Sequence, residues 1–156
     1  MSRTDDAIDI AVAAISSVEL VEAFGRLLPQ LSKTAPALTH TMLDEIINAP
    51  GNVLLVARDG GPGGTIVGTL TLVLFRIPTA LRAWIEDVVV DEGMRGRGVG
   101  EALVQAAVKL AKERGAKTVD LTSRTSRKAA HRLYEKCGFH VRDTSVYRYG
   151  PKPSSA

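Results

Sequence analysis

Val88-Val89-Val90-Asp91-Glu92-Gly93-Met94-Arg95-Gly96-Arg97-Gly98-Val99-Gly100 carries an apolar strand pattern into a basic, glycine-rich loop that opens a long amphipathic segment. A strand, a loop of free backbone N–H groups and a helix N-terminus together make an anion site, because the first helical N–H groups lack intrahelical partners and the helix dipole favours negative charge there. Glycine lets such a loop turn tightly and approach a ligand closely. The stretch predicts a phosphate cradle.

Spacing separates the phosphate-binding readings. A P-loop needs Gly-x-x-x-x-Gly-Lys-Ser/Thr, and no lysine follows these glycines. A dinucleotide fingerprint needs Gly-x-Gly-x-x-Gly directly after a strand; Gly96 and Gly98 match, but Glu101 stands at the third place and the glycines begin six residues after Val90. What remains is Arg-x-x-Gly-x-Gly, met by Arg95, Gly98 and Gly100.

Working outward, the loop opens a helix from Gly98 to Arg114 that stops at Gly115, and Thr118 to Thr122 returns as a strand. With the strand Ala83 to Val90 this makes a βαβ unit, hence a parallel pair. Upstream, Ile8 to Val12 reads as a strand, Ser16 or Ser17 caps a helix ending before Pro29, and a second helix covers Thr41 to Asn48. Asn52 to Arg58 and Thr65 to Phe75 flank the Gly60–Gly64 turn as a hairpin. Downstream, a helix from Arg127 to Cys137 ends with Gly138 in the left-handed position and Phe139 making the hydrophobic contact of a Schellman stop. Val141 to Tyr149 offers one or two short strands. The pattern predicts a mixed α/β fold whose central sheet is partly antiparallel and partly parallel, flanked by helices: one domain over residues 1–150 and a loose tail at 151–156.

Composition narrows the function classes. Net charge is +3, yet residues 1–94 balance at −6 and residues 95–156 at +9, so the basic half begins at the glycine loop and suits a bound polyanion. Aromatic content of 4% is low for a nucleic-acid reader that stacks bases, and no nucleic-acid partner is expected. No apolar run approaches the roughly 20 residues that cross a bilayer, and the N-terminus, with Asp5, Asp6 and Asp9, lacks a signal-peptide core; the chain reads as cytoplasmic with no membrane partner. Cys137 is the only cysteine, which removes intramolecular disulfides and cysteine-based zinc sites, and its apolar helical neighbours point to a buried thiol. His131 has no second ligand at metal spacing, and no metal is expected.

Two segments in order resemble the GNAT superfamily of acyl-CoA-dependent N-acyltransferases. WIEDVVVDEGMRGRGVGEALVQAAVKLAKERGAKTVDLTS resembles its central strand, pyrophosphate loop, helix and next strand, and AHRLYEKCGF resembles its C-terminal helix signature. The resemblance implies the GNAT fold and acetyl-CoA as acyl donor. It implies that backbone N–H groups from Arg95 through Gly96, Arg97, Gly98, Val99 and Gly100 to Glu101 hold the pyrophosphate. The resemblance also implies that the segment Val88, Val89 and Val90 lies along the pantetheine arm, with Val88 and Val90 supplying N–H and C=O groups as an added strand would. Arg95 and Arg97 are candidates for added phosphate contacts, and Arg127 stands where many members place a pantetheine-binding asparagine.

Acyl transfer to an amine sets two proton problems. An amine with a pKa of about 10.4 must lose a proton to become a nucleophile, and Glu86 is the expected base, with Asp87 beside it as the alternative; regular alternation turns only one of the two toward the cleft. The departing thiolate needs a proton, and Tyr134 matches the tyrosine that serves many members as general acid. By periodicity alone Tyr134 is a core residue. The resemblance implies an N-acetyltransferase acting on a primary amine, a small or amino-acid-like one, with a homodimer as an option. A non-catalytic acyl-CoA sensor and an enzyme for protein amino groups are the competing readings. The segments Leu31 to Thr39 and Arg142 to Tyr149 are where the family sets its acceptor.

Overall fold

The computed structural model describes residues 7–153. Asp5, Asp6 and the last three residues of the expected tail lie outside the described residues. Five strands form one sheet in chain order: β1 (Ile8–Val12), β2 (Asn52–Asp59), β3 (Thr65–Ile77), β4 (Ala80–Val90) and β5 (Thr118–Asp120). The pairs from β1 to β4 are antiparallel and β4 with β5 is parallel, as the βαβ reading requires.

Alternation along the strands supplies two apolar faces. On β2, Val53, Leu55 and Ala57 face one cluster, while Leu54 and Val56 face the other. The first cluster receives α3 (Val99–Glu113) through Val99, Leu103, Val104, Ala107 and Ala111. The second receives α1 (Val18–Leu31) and α2 (His40–Asn48) through Leu20, Ala23, Phe24, Leu27 and Leu43. Gly68 sits under α3: a Cβ there would lie 3.1 Å from Leu103 Cδ1 and 3.1 Å from the Val89 carbonyl oxygen, so the bare backbone lets the helix lie close on the sheet.

The helix signals act locally. Ser17 Oγ accepts from the Leu20 N–H and Thr39 Oγ1 from the Met42 N–H, each satisfying one free donor of a first turn. The fourth helix, α4 (Lys128–Lys136), ends as expected: Phe139 N–H donates to the Tyr134 carbonyl at 2.9 Å, Gly138 N–H to Glu135 at 3.0 Å, and Gly138 has φ +93°. These are the two bonds of a Schellman stop, and the Tyr134 and Phe139 rings meet edge-on at 6.1 Å.

Two expectations fail. Helix α1 does not end before Pro29 but runs through it to Leu31. A proline in the last turn removes one hydrogen bond without preventing the turn from closing, and Leu31 is held against the second apolar cluster. Residues 141–149 form no strand. A strand needs a partner edge; β5 offers only three residues, paired to β4, and Val141, Val146, Tyr147 and Tyr149 stand 73–104% exposed.

Candidate active site

The register of β3 and β4 slips within the expected site. Thr69 pairs with Val89 and Thr71 with Glu86, so two steps on β3 face three on β4. The surplus residue is Asp87, at φ +51° and the only non-glycine with positive φ among the described residues. Such a bulge re-aims side chains. Val88 and Val90 pack against the α3 cluster and Val89 is buried in the α1–α2 cluster. Glu86 pairs with Thr71, and directly paired residues share a face. The expected alternation of Glu86 and Asp87 therefore fails: the bulge puts both exposed carboxylates on the α1–α2 face.

On that face lies a cavity of about 200 Å³ between α1, α2 and the sheet. Phe24, Leu31, Pro36 and Leu38 contribute to its wall from the helices and their connection, Thr69, Thr71 and Asp87 from the strands. Asp87, not Glu86, is the carboxylate in its lining.

Beyond the bulge β4 runs free on one side. It pairs with β5 only from Arg82 to Trp84, opposite Thr118 to Asp120, so Ile85 to Val90 have ladder partners on β3 alone. Asp91 N–H donates to the Val67 carbonyl at 2.8 Å. Backbone groups alternate sides along a strand, so Val90, one residue earlier, turns its N–H to the open edge.

The loop then delivers the helix start. A single 3₁₀ turn over Glu92–Met94 follows Asp91, and Gly96 and Gly98 take φ +78° and +80°. Gly98 is the N-cap of α3 in left-handed conformation and brings no side chain to cap it. The first intrahelical bond is Ala102 N–H to the Gly98 carbonyl at 3.0 Å. The N–H groups of Val99, Gly100 and Glu101 therefore have no intrahelical acceptor and can meet an anion. Arg95 and Arg97 are both exposed, and Arg97 lies 3.8 Å from Asp59 on β2 and 3.1 Å from Met94 Sδ. Arg97 ties the loop to the sheet.

Helix α4 docks on this helix start. A Cβ on Gly100 would lie 3.2 Å from Leu133 Cδ2, and Lys136 Nζ is 2.9 Å from Glu101 Oε2. The ion pair raises the Lys136 pKa and sets a cation against the one acidic charge in the first turn of α3. Tyr134, half-buried against the α3-face cluster and the Phe139 ring, has its phenol pKa raised by burial, against an opposing pull from the Arg127 guanidinium and a smaller push from Cys137. It is held protonated at neutral pH. Burial, then Glu101, raises the Cys137 thiol against an opposing pull from Lys136, which leaves it a poor nucleophile. His131 Nε2 lies 2.8 Å from the Arg124 carbonyl and anchors the loop before α4. Among the described residues no group of three His, Cys, Asp or Glu is placed to hold a metal, and no helix is long and apolar enough to cross a membrane.

The sequence concealed two parts of this site. Three consecutive valines fit either phase of a strand, so Asp87 carried no signal of a bulge. The contact of Gly100 with Leu133 shows that this glycine serves packing between helices.

The acetyltransferase (GNAT) family model matches residues 19–139, which is most of the chain. The chain belongs to the GNAT acetyltransferase family. Members of this family are acyl-CoA-dependent N-acetyltransferases that use acetyl-CoA as cosubstrate. A probable glucosamine 6-phosphate N-acetyltransferase of Oryza sativa subsp. japonica is 33% identical over 83% of this chain and 81% of its own length. An uncharacterised N-acetyltransferase of Methanocaldococcus jannaschii is 38% identical over 39% of the chain, which spans about a quarter (27%) of that longer relative. A putative acetyltransferase from Agrobacterium tumefaciens superposes with a TM-score of 0.79 at 27% identity, covering 91% of this chain and 99% of its own. The mixed five-stranded sheet flanked by helices is the family's fold.

Proposed function

We propose that this GNAT domain transfers the acetyl group of acetyl-CoA to a primary amine of small or amino-acid-like type. The observation that carries the proposal is the meeting of an uncapped helix start at Val99 to Glu101 with the open backbone edge of β4. One suits a pyrophosphate and the other an extended amide-bearing arm, and they are adjoining parts of one segment. Val88, Val89 and Val90 line the arm, Gly96 and Gly98 shape the loop, Gly100 admits α4 against the helix start, and Arg95 and Arg127 add positive charge around it while Asp59 engages Arg97.

In the reaction the amine nitrogen attacks the thioester carbonyl carbon; the C–N bond forms, the C–S bond breaks and the electron pair leaves on sulfur. A carboxylate at the β4 bulge takes the ammonium proton. Glu86 was expected in this role; the cavity lining favours Asp87. The Tyr134 hydroxyl gives its proton to the departing thiolate and recovers one from the acylated nitrogen, and its raised pKa keeps it charged with a proton until then. General acid assistance contributes about 10²–10⁴-fold.

Thermal shift separates ligands first: coenzyme A and acetyl-CoA raise the melting temperature, and NAD and ATP do not. Turnover is then followed by free-thiol release. Tyr134→Phe lowers kcat by about a hundredfold or more with coenzyme A affinity unchanged; an unchanged rate across pH removes Tyr134 from the mechanism. Loss of activity in Asp87→Asn but not Glu86→Gln assigns the base to Asp87, and the reverse assigns it to Glu86. A coenzyme A-dependent shift with no turnover of any amine or peptide favours a sensor instead.

The exposed segment 141–149 supports a homodimer. A second copy packed against this segment would cover Val141, Val146, Tyr147 and Tyr149, which stand exposed in the single chain. Light scattering then gives a dimer for the full chain and a monomer for a chain cut after Phe139; a monomeric full chain refutes the pairing.

A further inference from the structure

The cavity beside Asp87 is lined mostly by apolar side chains, with Thr69, Thr71 and Asp87 as its polar ones. From the geometry we infer that the acceptor is a small primary amine bearing an uncharged apolar group of about eight non-hydrogen atoms, scaling from the benzene that fills an engineered cavity of about 150 Å³. This inference rests on the acetyltransferase reading and specifies its acceptor.

Three observations converge on it. The wall combines Phe24, Leu28, Leu31, Leu38, Met42 and Val89, and no Lys, Arg or His lines it. A phosphate or carboxylate carried into this space would lose its water and meet no cation. The only charged group in the lining is Asp87, which is exposed and therefore sits at the mouth, while Leu54, at 2%, and Thr69, at 1%, lie buried in the interior. An ammonium held at Asp87 sends its substituent inward, away from solvent.

The position of Asp87 joins this cavity to the chemistry. It is the surplus residue of the β4 bulge, on the segment whose other backbone edge is open. The amine is thus held beside the strand along which the thioester arm lies, and the apolar group selects the molecule. The connection between α1 and α2 contributes Ala35, Pro36 and Leu38, so this loop sets the length of substituent that fits.

The test is a steady-state panel at fixed acetyl-CoA, read by free thiol. It comprises the linear amines from ethylamine to decylamine, 2-phenylethylamine, glucosamine 6-phosphate, an aminoglycoside and short peptides with leucine or serine at the N-terminus. The expected result is a rise in kcat/KM of about fourfold per added methylene until the cavity fills, since each buried methylene adds a near-constant increment. Phenylethylamine should exceed glucosamine 6-phosphate at least a hundredfold. Ala35→Phe, at an exposed position in the wall, should move the optimum to shorter chains, with circular dichroism confirming the fold. A flat chain-length series, or preference for the phosphosugar or aminoglycoside, overturns this acceptor class and leaves the acetyltransferase reading standing. Activity confined to the leucine peptide overturns the small-molecule assignment. Turnover of nothing in the panel, with or without coenzyme A binding, overturns both.

Discussion

Replacing Gly98 by alanine tests whether the backbone itself builds the anion site. Gly98 holds φ +80° as the N-cap of α3, and a Cβ there would meet nothing within 4 Å, so a side chain is penalised by conformation and not by collision. An alanine in left-handed conformation costs about 1–2 kcal/mol. Against this, the unfolded chain loses entropy, which stabilises by about 0.4–1 kcal/mol. The net loss is about 1 kcal/mol, or roughly 2–4 °C in melting temperature for a chain of this size. Gly98→Asn should stay close to the parent, because asparagine enters this region several-fold more readily. Differential scanning fluorimetry with and without coenzyme A reads both stability and binding. At a hundred times Kd the ligand stabilises by about 2.7 kcal/mol, and a tenfold weaker alanine variant at the same concentration retains about 1.4 kcal/mol. The ligand shift should therefore halve. An alanine variant with the parent's melting temperature and full ligand shift refutes the left-handed cap as the origin of the site; an asparagine variant that falls as far as alanine refutes backbone handedness as the cause.

Other expectations concern the parts around the loop. Leu103→Ala, at 0% exposure on the buried face of α3, should lose about 2–5 kcal/mol in urea unfolding through the cavity it leaves; a loss below 1 kcal/mol would mean that α3 is not packed as described. Cys137 should react with iodoacetamide more slowly than a free thiol at pH 8, because a raised pKa leaves less thiolate at any pH below it, and its rate-against-pH curve should lie on the alkaline side of a small-thiol control. The thiol expected to be buried is half-buried, and a curve at or below the control contradicts even that partial shielding. Reversing the α3–α4 ion pair as Glu101→Lys with Lys136→Glu should recover coenzyme A binding only in part relative to either single change, since the swap returns the pair but leaves a cation in place of an anion at the helix start. Full recovery would show that residue 101 carries charge only for α4.

Much of this site was legible because its signals are local. Gly98 and Gly100 open a helix, and Gly138 and Phe139 close one, by backbone rules that need no knowledge of the rest of the chain. The βαβ unit around α3 followed from connection length. What stayed hidden depends on partners far along the sequence. Asp87 is surplus only relative to Thr69 and Thr71 on β3. Arg97 looks like a phosphate ligand until Asp59 is brought to it. Val141 to Tyr149 has the composition of a strand, yet composition cannot supply the edge on which a strand lies. Pro29 shows the reverse case, in which the apolar contact of Leu31 prevails over a local stop signal.

The bulge on β4 has a consequence for how this strand tolerates change. With Asp87 removed in thought, Ala83, Ile85, Val88 and Val90 would follow one another at strict intervals of two on the α3 face, and Trp84, Glu86 and Val89 on the other. Asp87 is therefore an insertion into an otherwise regular strand. A single-residue deletion there would repair the ladder, relieve the positive φ and keep both apolar faces in phase. The shortened protein should be the more regular sheet and the poorer enzyme, so stability and activity pull in opposite directions at this one position.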